Sequence, residues 1–247
     1  MRKLAGCLIA AALLLPMASA QAVLIDFKTA AEPGPGLPGE VHYGESAYSS
    51  LNLFADFGIA VRISATSASA ANPLVYLDSG NAGMGVCPKV FTTAPVGSAT
   101  NGTKNLCDPS DDDNVKYGER LRFDFDEAVV ISKIWFNNNH DDDWSLVGDS
   151  ISILNDPPHM FTGIVPDLVG PRKGDVLYES SMYFAAGDFA YITFYDPSCA
   201  TNSRTQPCGD EFYLSAMEIN RVPEPGTLAL LGIAIAGLGS ARGRKFR

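Results

Sequence analysis

The chain has 247 residues, and its 18 basic and 28 acidic side chains give a formal net charge of −10. An apolar fraction of 46% is too low for a polytopic membrane protein. An aromatic fraction of 10% supplies enough large side chains for a core, which excludes low-complexity disorder. These averages conceal three zones, because both ends differ in composition from the residues between them.

The N-terminus has the order of a cleaved export signal. Arg2 and Lys3 precede an apolar run over residues 4–15, and small residues then offer cleavage sites after Ala20 and Ala22. A bilayer requires about 20 apolar residues, so the short run argues against an uncleaved membrane anchor. The first 22 residues are therefore predicted to form a signal peptide with a helical apolar segment.

The stretch between the two ends, residues 23–221, is strongly acidic and long enough for one all-β domain. It keeps 12 of the 18 basic residues and 27 of the 28 acidic ones, a net charge of −15. Nucleic acid is not expected as a partner, because phosphate binding needs Lys and Arg. The charge favours binding of cations such as calcium, or simply solubility.

Hydrophobic residues in this stretch recur with a period of two, as in residues 119–125, where Leu and Phe alternate with charged residues. Clusters of Gly, Pro, Asn and Asp separate such segments. The pattern predicts an all-β fold, an antiparallel β-sandwich. Strands are predicted at residues 23–27, 58–63, 119–125, 129–136, 150–154, 176–184, 189–195 and 212–220, and loops at residues 31–39 and 78–105. The predicted core aromatics are Phe123, Phe125, Trp135, Phe136, Phe194 and Tyr213.

Four cysteines lie in this domain, and an even number in an exported chain predicts disulfides. Three pairings are possible. We favour Cys87–Cys107 and Cys199–Cys208, because each would close a polar loop. A zinc site is disfavoured, since the spacings lack a C-x-x-C pair and the three histidines are scattered.

An acidic segment follows the second of these cysteines. Close carboxylates repel one another, and hard oxygen ligands in a loop suit calcium. The spacing is not that of an EF-hand. The alternative interpretation is a solvated acidic turn. The candidate ligands are Asp108, Asp111, Asp112, Asp113, Asn114 and Glu119.

A second candidate cation loop contains Asp141, Asp142 and Asp143. It directly follows a predicted strand, and the two loops could meet at one end of the sandwich. Neighbouring His140 could bind a transition metal and Trp144 could stack on a sugar, although a polar turn with Trp144 folded over the core is the alternative. A third acidic set is interpreted as ordinary turn residues. This third set is Asp196, Asp210 and Glu211.

The C-terminus combines three parts: the motif Val222, Pro223, Glu224, Pro225; an apolar segment over residues 228–238; and a basic tail. Residues 222–247 resemble the PEP-CTERM sorting signal of exopolysaccharide-producing Gram-negative bacteria. The resemblance implies recognition and cleavage by an exosortase. It also implies transient anchoring in the inner membrane through a transmembrane helix, with the basic tail in the cytoplasm. A plain tail anchor, the alternative, would not need the proline motif.

The middle of the chain resembles jelly-roll ectodomains of other PEP-CTERM proteins. The resemblance rests on residues 77–87, on the stretch from residues 112–114 to 118–119, and on residues 211–216. It implies a jelly-roll-like fold and an envelope location but assigns no reaction.

No catalytic motif is evident, since the chain lacks both a Gly-x-Ser-x-Gly elbow and a His-Glu-x-x-His pair. The sequence therefore predicts a non-enzymatic exported protein of the cell envelope, outer surface or extracellular matrix. We expect it to bind calcium and glycan or exopolysaccharide. Two alternatives remain: a polysaccharide-active glycoside hydrolase or lyase on the β-sandwich, and a purely structural or adhesive matrix protein.

Overall fold

The computed structural model describes residues 22–33, 41–80, 82–90, 106–107, 114–116, 118–137, 150–153, 159–160, 175–195 and 212–222. Ala22–Arg221 form one compact unit. The strands are β1 (Ala22–Asp26), β2 (Ser46–Tyr48), β3 (Leu51–Asn52), β4 (Val61–Ser67), β5 (Leu74–Asp78), β6 (Gly83–Cys87), β7 (Glu119–Phe125), β8 (Val129–Asn137), β9 (Ser150–Ile153), β10 (His159–Met160), β11 (Val176–Phe184), β12 (Phe189–Tyr195) and β13 (Tyr213–Arg221), and the helices are α1 (Phe27–Ala31) and α2 (Phe54–Phe57).

Two antiparallel sheets contain these strands. The seven-stranded sheet has the order β11-β8-β13-β6-β5-β2, with β1 also paired to β13. The six-stranded sheet has the order β10-β9-β12-β7-β4-β3. A single hydrophobic core draws buried side chains from both sheets. Phe125 of β7 stacks on Phe184 of β11 with 4.4 Å between the ring centroids, so the sheets meet face to face.

The connections of β6 to β13 are those of a jelly roll. The pairs are nested: β9 with β10, β8 with β11, β7 with β12, and β6 with β13. Successive pairs alternate between the two sheets, as they do when one long double-stranded ribbon folds over itself. This topology confirms the predicted all-β, jelly-roll-like antiparallel β-sandwich. The strands β1 to β5 widen both sheets beyond this motif.

Three strands with one face in the core have the predicted bounds, whereas β4 extends to Ser67, past the predicted end at residue 63. Residues 119–125, 176–184 and 189–195 coincide with β7, β11 and β12. In β7 the Leu121, Phe123 and Phe125 side chains are at most 1% exposed, whereas Arg120 points to solvent. Five predicted core aromatics are buried, and the side chain of the sixth, Phe194, lies outside the described part of the chain. The five are Phe123, Phe125, Trp135, Phe136 and Tyr213.

The prediction of a loop over residues 78–105 is wrong for β6. All five residues of β6 are buried, so the strand has no polar alternation, and its glycines suggested a turn. Gly83 has φ +125°, and a Cβ there would stand 2.6 Å from the Leu214 carbonyl oxygen. Glycine is therefore required where β6 approaches β13, and the residue that suggested a loop permits the strand pairing.

Two predicted strands have different bounds because a helix adjoins each of them. The first strand ends at Asp26, whose side chain accepts a hydrogen bond from Thr29 N at 3.0 Å and caps α1. The strand predicted from residue 58 begins at Val61, because α2 ends at Gly58 in the left-handed conformation with φ +68°. Lys28 of α1 contacts Asp175 at 3.1 Å and so joins α1 to the start of β11.

The predicted signal helix and C-terminal transmembrane helix lie outside the described residues, apart from Ala22 and Val222. Among the residues that the structure does describe, no helix is long and apolar enough to cross a membrane.

Candidate functional site

Both ends of the first acidic segment are attached to the end of β6. Cys107, which precedes the segment, forms a disulfide with Cys87, the last residue of β6. Asn114, which follows it, accepts a hydrogen bond at its carbonyl oxygen from Val86 N at 3.2 Å. Two neighbouring residues of one strand therefore hold the two ends together. Of the candidate calcium ligands, Asp108, Asp111, Asp112 and Asp113 themselves lie outside the described residues.

The disulfide confirms one of the two favoured cysteine pairs. The Cα atoms of Cys87 and Cys107 are 5.5 Å apart, and both residues are buried. Cys107 also forms an isolated β-bridge with Val90. The second pair, Cys199 and Cys208, lies outside the described residues and stays a prediction.

The two candidate ligands that the structure does describe are both buried. Asn114 is 2% exposed, and its side-chain nitrogen has no hydrogen-bond partner among the described residues. Glu119 is 4% exposed, and its Oε2 accepts a hydrogen bond from Lys116 N at 3.2 Å. Glu119 thus closes the turn that leads into β7. A buried amide donor such as that of Asn114 requires an acceptor, and a carboxylate would be a suitable one.

The residues that border the acidic segments lie next to one another at the start of β13. Val115, which follows Asn114, bridges Phe212, and Tyr213 pairs with Asn137 at the end of β8. In sequence, Asn137 precedes the second candidate cation loop, and Phe212 follows the third acidic set. The register therefore brings the borders of three acidic stretches to one end of the sandwich.

The second loop starts from a tightly held residue. Asn137 is 5% exposed, and its Nδ2 donates a hydrogen bond to the Ala82 carbonyl oxygen at 2.5 Å. This bond connects the end of β8 to the turn between β5 and β6. The remaining predicted site residues around it lie outside the described part of the chain: His140, Asp141, Asp142, Asp143, Trp144, Asp196, Asp210 and Glu211. Among the described residues, no three His, Cys, Asp or Glu side chains are grouped to hold a metal ion.

A second feature, which the sequence analysis did not single out, lies on the outer face of the six-stranded sheet. Cross-strand pairing places Arg122 of β7 opposite Tyr191 of β12, and it places Phe189 opposite Asp124, two pairs further along. The Arg122 guanidinium lies 4.5 Å from the Phe189 ring centroid and 5.8 Å from that of Tyr191. Arg120 lies 5.6 Å from the Tyr191 centroid. Together with Arg62 of β4, these residues form what we call the arginine–aromatic face.

Arg122 is the fixed centre of this face. Its Nε and Nη2 donate to Asp124 Oδ1 at 2.9 and 2.7 Å, and its Nη1 donates to the Tyr191 hydroxyl at 3.3 Å. The hydrogen bond to Asp124 raises the pKa of Arg122 above its ordinary value, so the group is charged at any working pH. Phe189 is 39% exposed and contacts Tyr191 edge to face at 5.5 Å. The alternation in β7 placed its arginines outward, but their aromatic neighbours follow only from the strand register.

Two tyrosines near the start of the domain have perturbed acidity. Burial raises the pKa of Tyr48 from 10 to about 12. Burial and a hydrogen bond from its hydroxyl to Asp56 Oδ2 also raise the pKa of Tyr43. Both hydroxyls are therefore neutral at physiological pH and act as hydrogen-bond donors, the Tyr48 hydroxyl to the Tyr43 carbonyl oxygen at 3.2 Å.

The sorting motif begins where the last strand ends. Arg221 closes β13, and its Nε contacts the Glu127 carboxylate oxygens at 3.1 and 3.0 Å. Val222 follows directly, whereas Pro223, Glu224 and Pro225 lie outside the described residues.

Comparison with known families identifies this end of the chain. Residues 221–245 match the model of the PEP-CTERM protein-sorting motif. No curated protein and no solved structure matches the chain. The motif implies processing by an exosortase, a membrane protease, and export to the cell surface or beyond. This chain therefore carries a PEP-CTERM protein-sorting motif at its C-terminal end.

Proposed function

We propose that the chain is a non-enzymatic protein of the cell envelope or extracellular matrix, whose sandwich domain binds calcium and glycan. One observation carries the export part of this proposal: the PEP-CTERM motif over residues 221–245 starts at the last residue of β13. β13 lies between β8 on one side and β6 and β1 on the other. Cleavage at or after the motif thus releases the sandwich with every described strand intact.

The sorting part of the proposal is tested by changing the motif to alanine. The variant Pro223→Ala, Glu224→Ala, Pro225→Ala is expected to stay unprocessed in the inner-membrane fraction, because the exosortase loses its recognition residues. Intact mass and cell fractionation measure this. The variant Asn72→Ala, Pro73→Ala removes a proline from the turn between β4 and β5 and serves as the control. Unchanged delivery and processing of the triple variant would refute the sorting route.

Calcium binding is proposed for the segment with Asp108, Asp111, Asp112 and Asp113. The support is the joining of its ends at β6 and the repulsion of four carboxylates in six residues, which a divalent cation would relieve. Calcium takes six to eight oxygen ligands and accepts irregular loop geometry. Asn114 is a further ligand by its side-chain oxygen, and the borders of the loop with Asp141, Asp142 and Asp143 meet it at the same end of the sandwich.

Thermal unfolding with calcium and with a chelator tests the ion. Calcium at a thousand times its Kd would stabilise the fold by about 4 kcal/mol. The variant Asp111→Asn, Asp112→Asn, Asp113→Asn is expected to abolish the calcium shift. The matched variant Asp141→Asn, Asp142→Asn, Asp143→Asn shows which of the two loops produces the calcium shift. A melting temperature that a chelator leaves unchanged would contradict the calcium proposal.

An assay of product release by the same purified chain distinguishes the non-enzymatic proposal from the enzymatic alternative. A non-enzymatic protein releases no reducing ends and no unsaturated products from the exopolysaccharide of the producing cells. Steady release of either product would instead support a hydrolase or a lyase on the sandwich. Absence of both calcium and glycan binding would favour the purely structural or adhesive role.

A further inference from the structure

Some basic residues of the domain form ion pairs with carboxylates, and two exposed arginines do not. Lys28, Lys133, Arg122 and Arg221 each contact a carboxylate at 2.7 to 3.6 Å. Such pairing is expected in a domain with 27 acidic and 12 basic residues. Two exposed arginines, Arg62 and Arg120, have no carboxylate partner within the described part of the chain. Both lie on the outer face of the six-stranded sheet, where the strand register places them.

The surface around these two arginines is positive and carries aromatic rings. In the backbone register of β4 and β7, Arg62 lies opposite Asp124 and Thr66 lies opposite Arg120. Tyr191 and Phe189 follow on the next strand, β12. The described side chains of this face include three arginines and one carboxylate, Asp124. The face therefore has a local charge opposite to that of the whole domain, whose net charge is −15.

We infer that the arginine–aromatic face binds an anionic, carboxylate-bearing polysaccharide; this inference rests on the proposed function and deepens it. A guanidinium presents a planar fork that holds a carboxylate through two parallel hydrogen bonds. The exposed ring of Phe189 and the half-buried ring of Tyr191 offer flat apolar surfaces on which the C–H face of a sugar packs. The Asp124 and Tyr191 contacts of Arg122 hold these groups in place before the ligand arrives.

The spacing of the two arginines suits an extended ligand. In the backbone register Arg62 lies opposite Asp124, which is four residues along β7 from Arg120. With a rise of 3.4 Å per residue and a strand spacing of 4.8 Å, the two Cα atoms are about 14 Å apart. A polymer that runs along β7 passes both arginines, with the rings of β12 beside it.

The charge balance favours a sparsely charged polymer over nucleic acid. Duplex DNA carries one negative charge for about each 1.7 Å of its axis, and its binding depends on neutralising many phosphates. The face supplies two arginines without a carboxylate partner among the described residues, and the rest of the domain repels a dense polyanion. A polysaccharide with carboxylates on some of its sugars suits the two arginines and the rings together.

Binding of polygalacturonate to the full chain in an uncharged detergent tests this inference, with dextran as the neutral polymer and duplex DNA as the competing polyanion. Titration calorimetry at low salt should show binding of polygalacturonate and little of dextran. The variant Arg62→Gln, Arg120→Gln is expected to weaken it at least tenfold, and Phe189→Leu several-fold. The control Lys133→Gln, Arg221→Gln removes the same charge from the seven-stranded sheet and should change the affinity less than twofold.

Four results would overturn the inference: equal affinity for dextran, no effect of Arg62→Gln, Arg120→Gln, an equal loss in the control variant, or preferential binding of DNA. Thermal unfolding of each variant verifies that the fold is kept. The sorting experiment does not involve this face. Normal sorting without polygalacturonate binding would therefore refute this inference and leave the sorting proposal intact. Failure of the sorting experiment would not affect the binding measurement.

Discussion

Gly83 provides the sharpest test of how the jelly roll is held together. It stands where β6 meets β13, with φ +125° and with the Leu214 carbonyl oxygen 2.6 Å from the position of an added Cβ. Alanine would face two costs. A backbone conformation of this kind costs a non-glycine residue about 1–3 kcal/mol. Overpacking against atoms that cannot move away costs about 1–3 kcal/mol more, so we expect Gly83→Ala to destabilise the domain by about 4 kcal/mol in total.

Gly80, in the turn between β5 and β6, is the matched control. It has φ +71°, but a Cβ there would meet nothing within 4 Å. Gly80→Ala should therefore cost only the conformational part, about 1 kcal/mol. At about 2–4 °C per kcal/mol for a domain of this size, the expected losses in Tm are about 8–16 °C for Gly83→Ala and about 2–4 °C for Gly80→Ala. Thermal unfolding followed by circular dichroism measures both, and equal losses would refute the close approach of β6 to β13.

Two further predictions concern the disulfide and the buried tyrosines. Replacing Cys87 and Cys107 by alanine opens a loop with a sequence separation of 20 residues, which should lower the free energy of unfolding by about 3 kcal/mol in the chain-entropy model; urea unfolding that gives the same stability would contradict it. The pKa of Tyr48 is raised to about 12 in the fold and is 10 in the unfolded chain. The contribution of Tyr48 to the free energy of unfolding is therefore fully present below pH 10 and is lost as the pH rises from 10 to 12. In urea titrations at pH 8, 10 and 11, Tyr48→Phe should show a shallower fall than the wild type, and an identical slope would show that Tyr48 is not the group responsible.

Strand prediction was most accurate for three strands that have one face in the core. β7, β11 and β12 have the predicted bounds, and the alternation is clearest in β7, where inward Leu and Phe side chains alternate with outward charged ones. β6 was missed because all of its residues are buried, which removes the alternation. The short β2 and β3, of three and two residues, are too brief for any periodic pattern to indicate them.

Some features of the candidate sites could be predicted from the sequence, and others follow only from the strand register. The choice of Cys87–Cys107 from three possible pairings is confirmed, and the register explains it, because Cys87 ends β6 beside the Cys107 bridge to Val90. The acidic segments are evident from composition. That their borders at Asn114 and Asn137 come together follows only from the pairing of β13 with its neighbours.

The sequence by itself determined the features that short stretches encode: the sorting motif at residues 221–245, the acidic loops and the alternating strands. Such features depend only on residues that are neighbours in sequence, so they can be recognised without knowledge of the fold. The tertiary structure alone decided which strands are neighbours, and with them the nested jelly-roll pairs and the arginine–aromatic face. Arg62, Arg120 and Tyr191 are far apart in the chain, and only cross-strand register, which long-range packing sets, puts them on one surface.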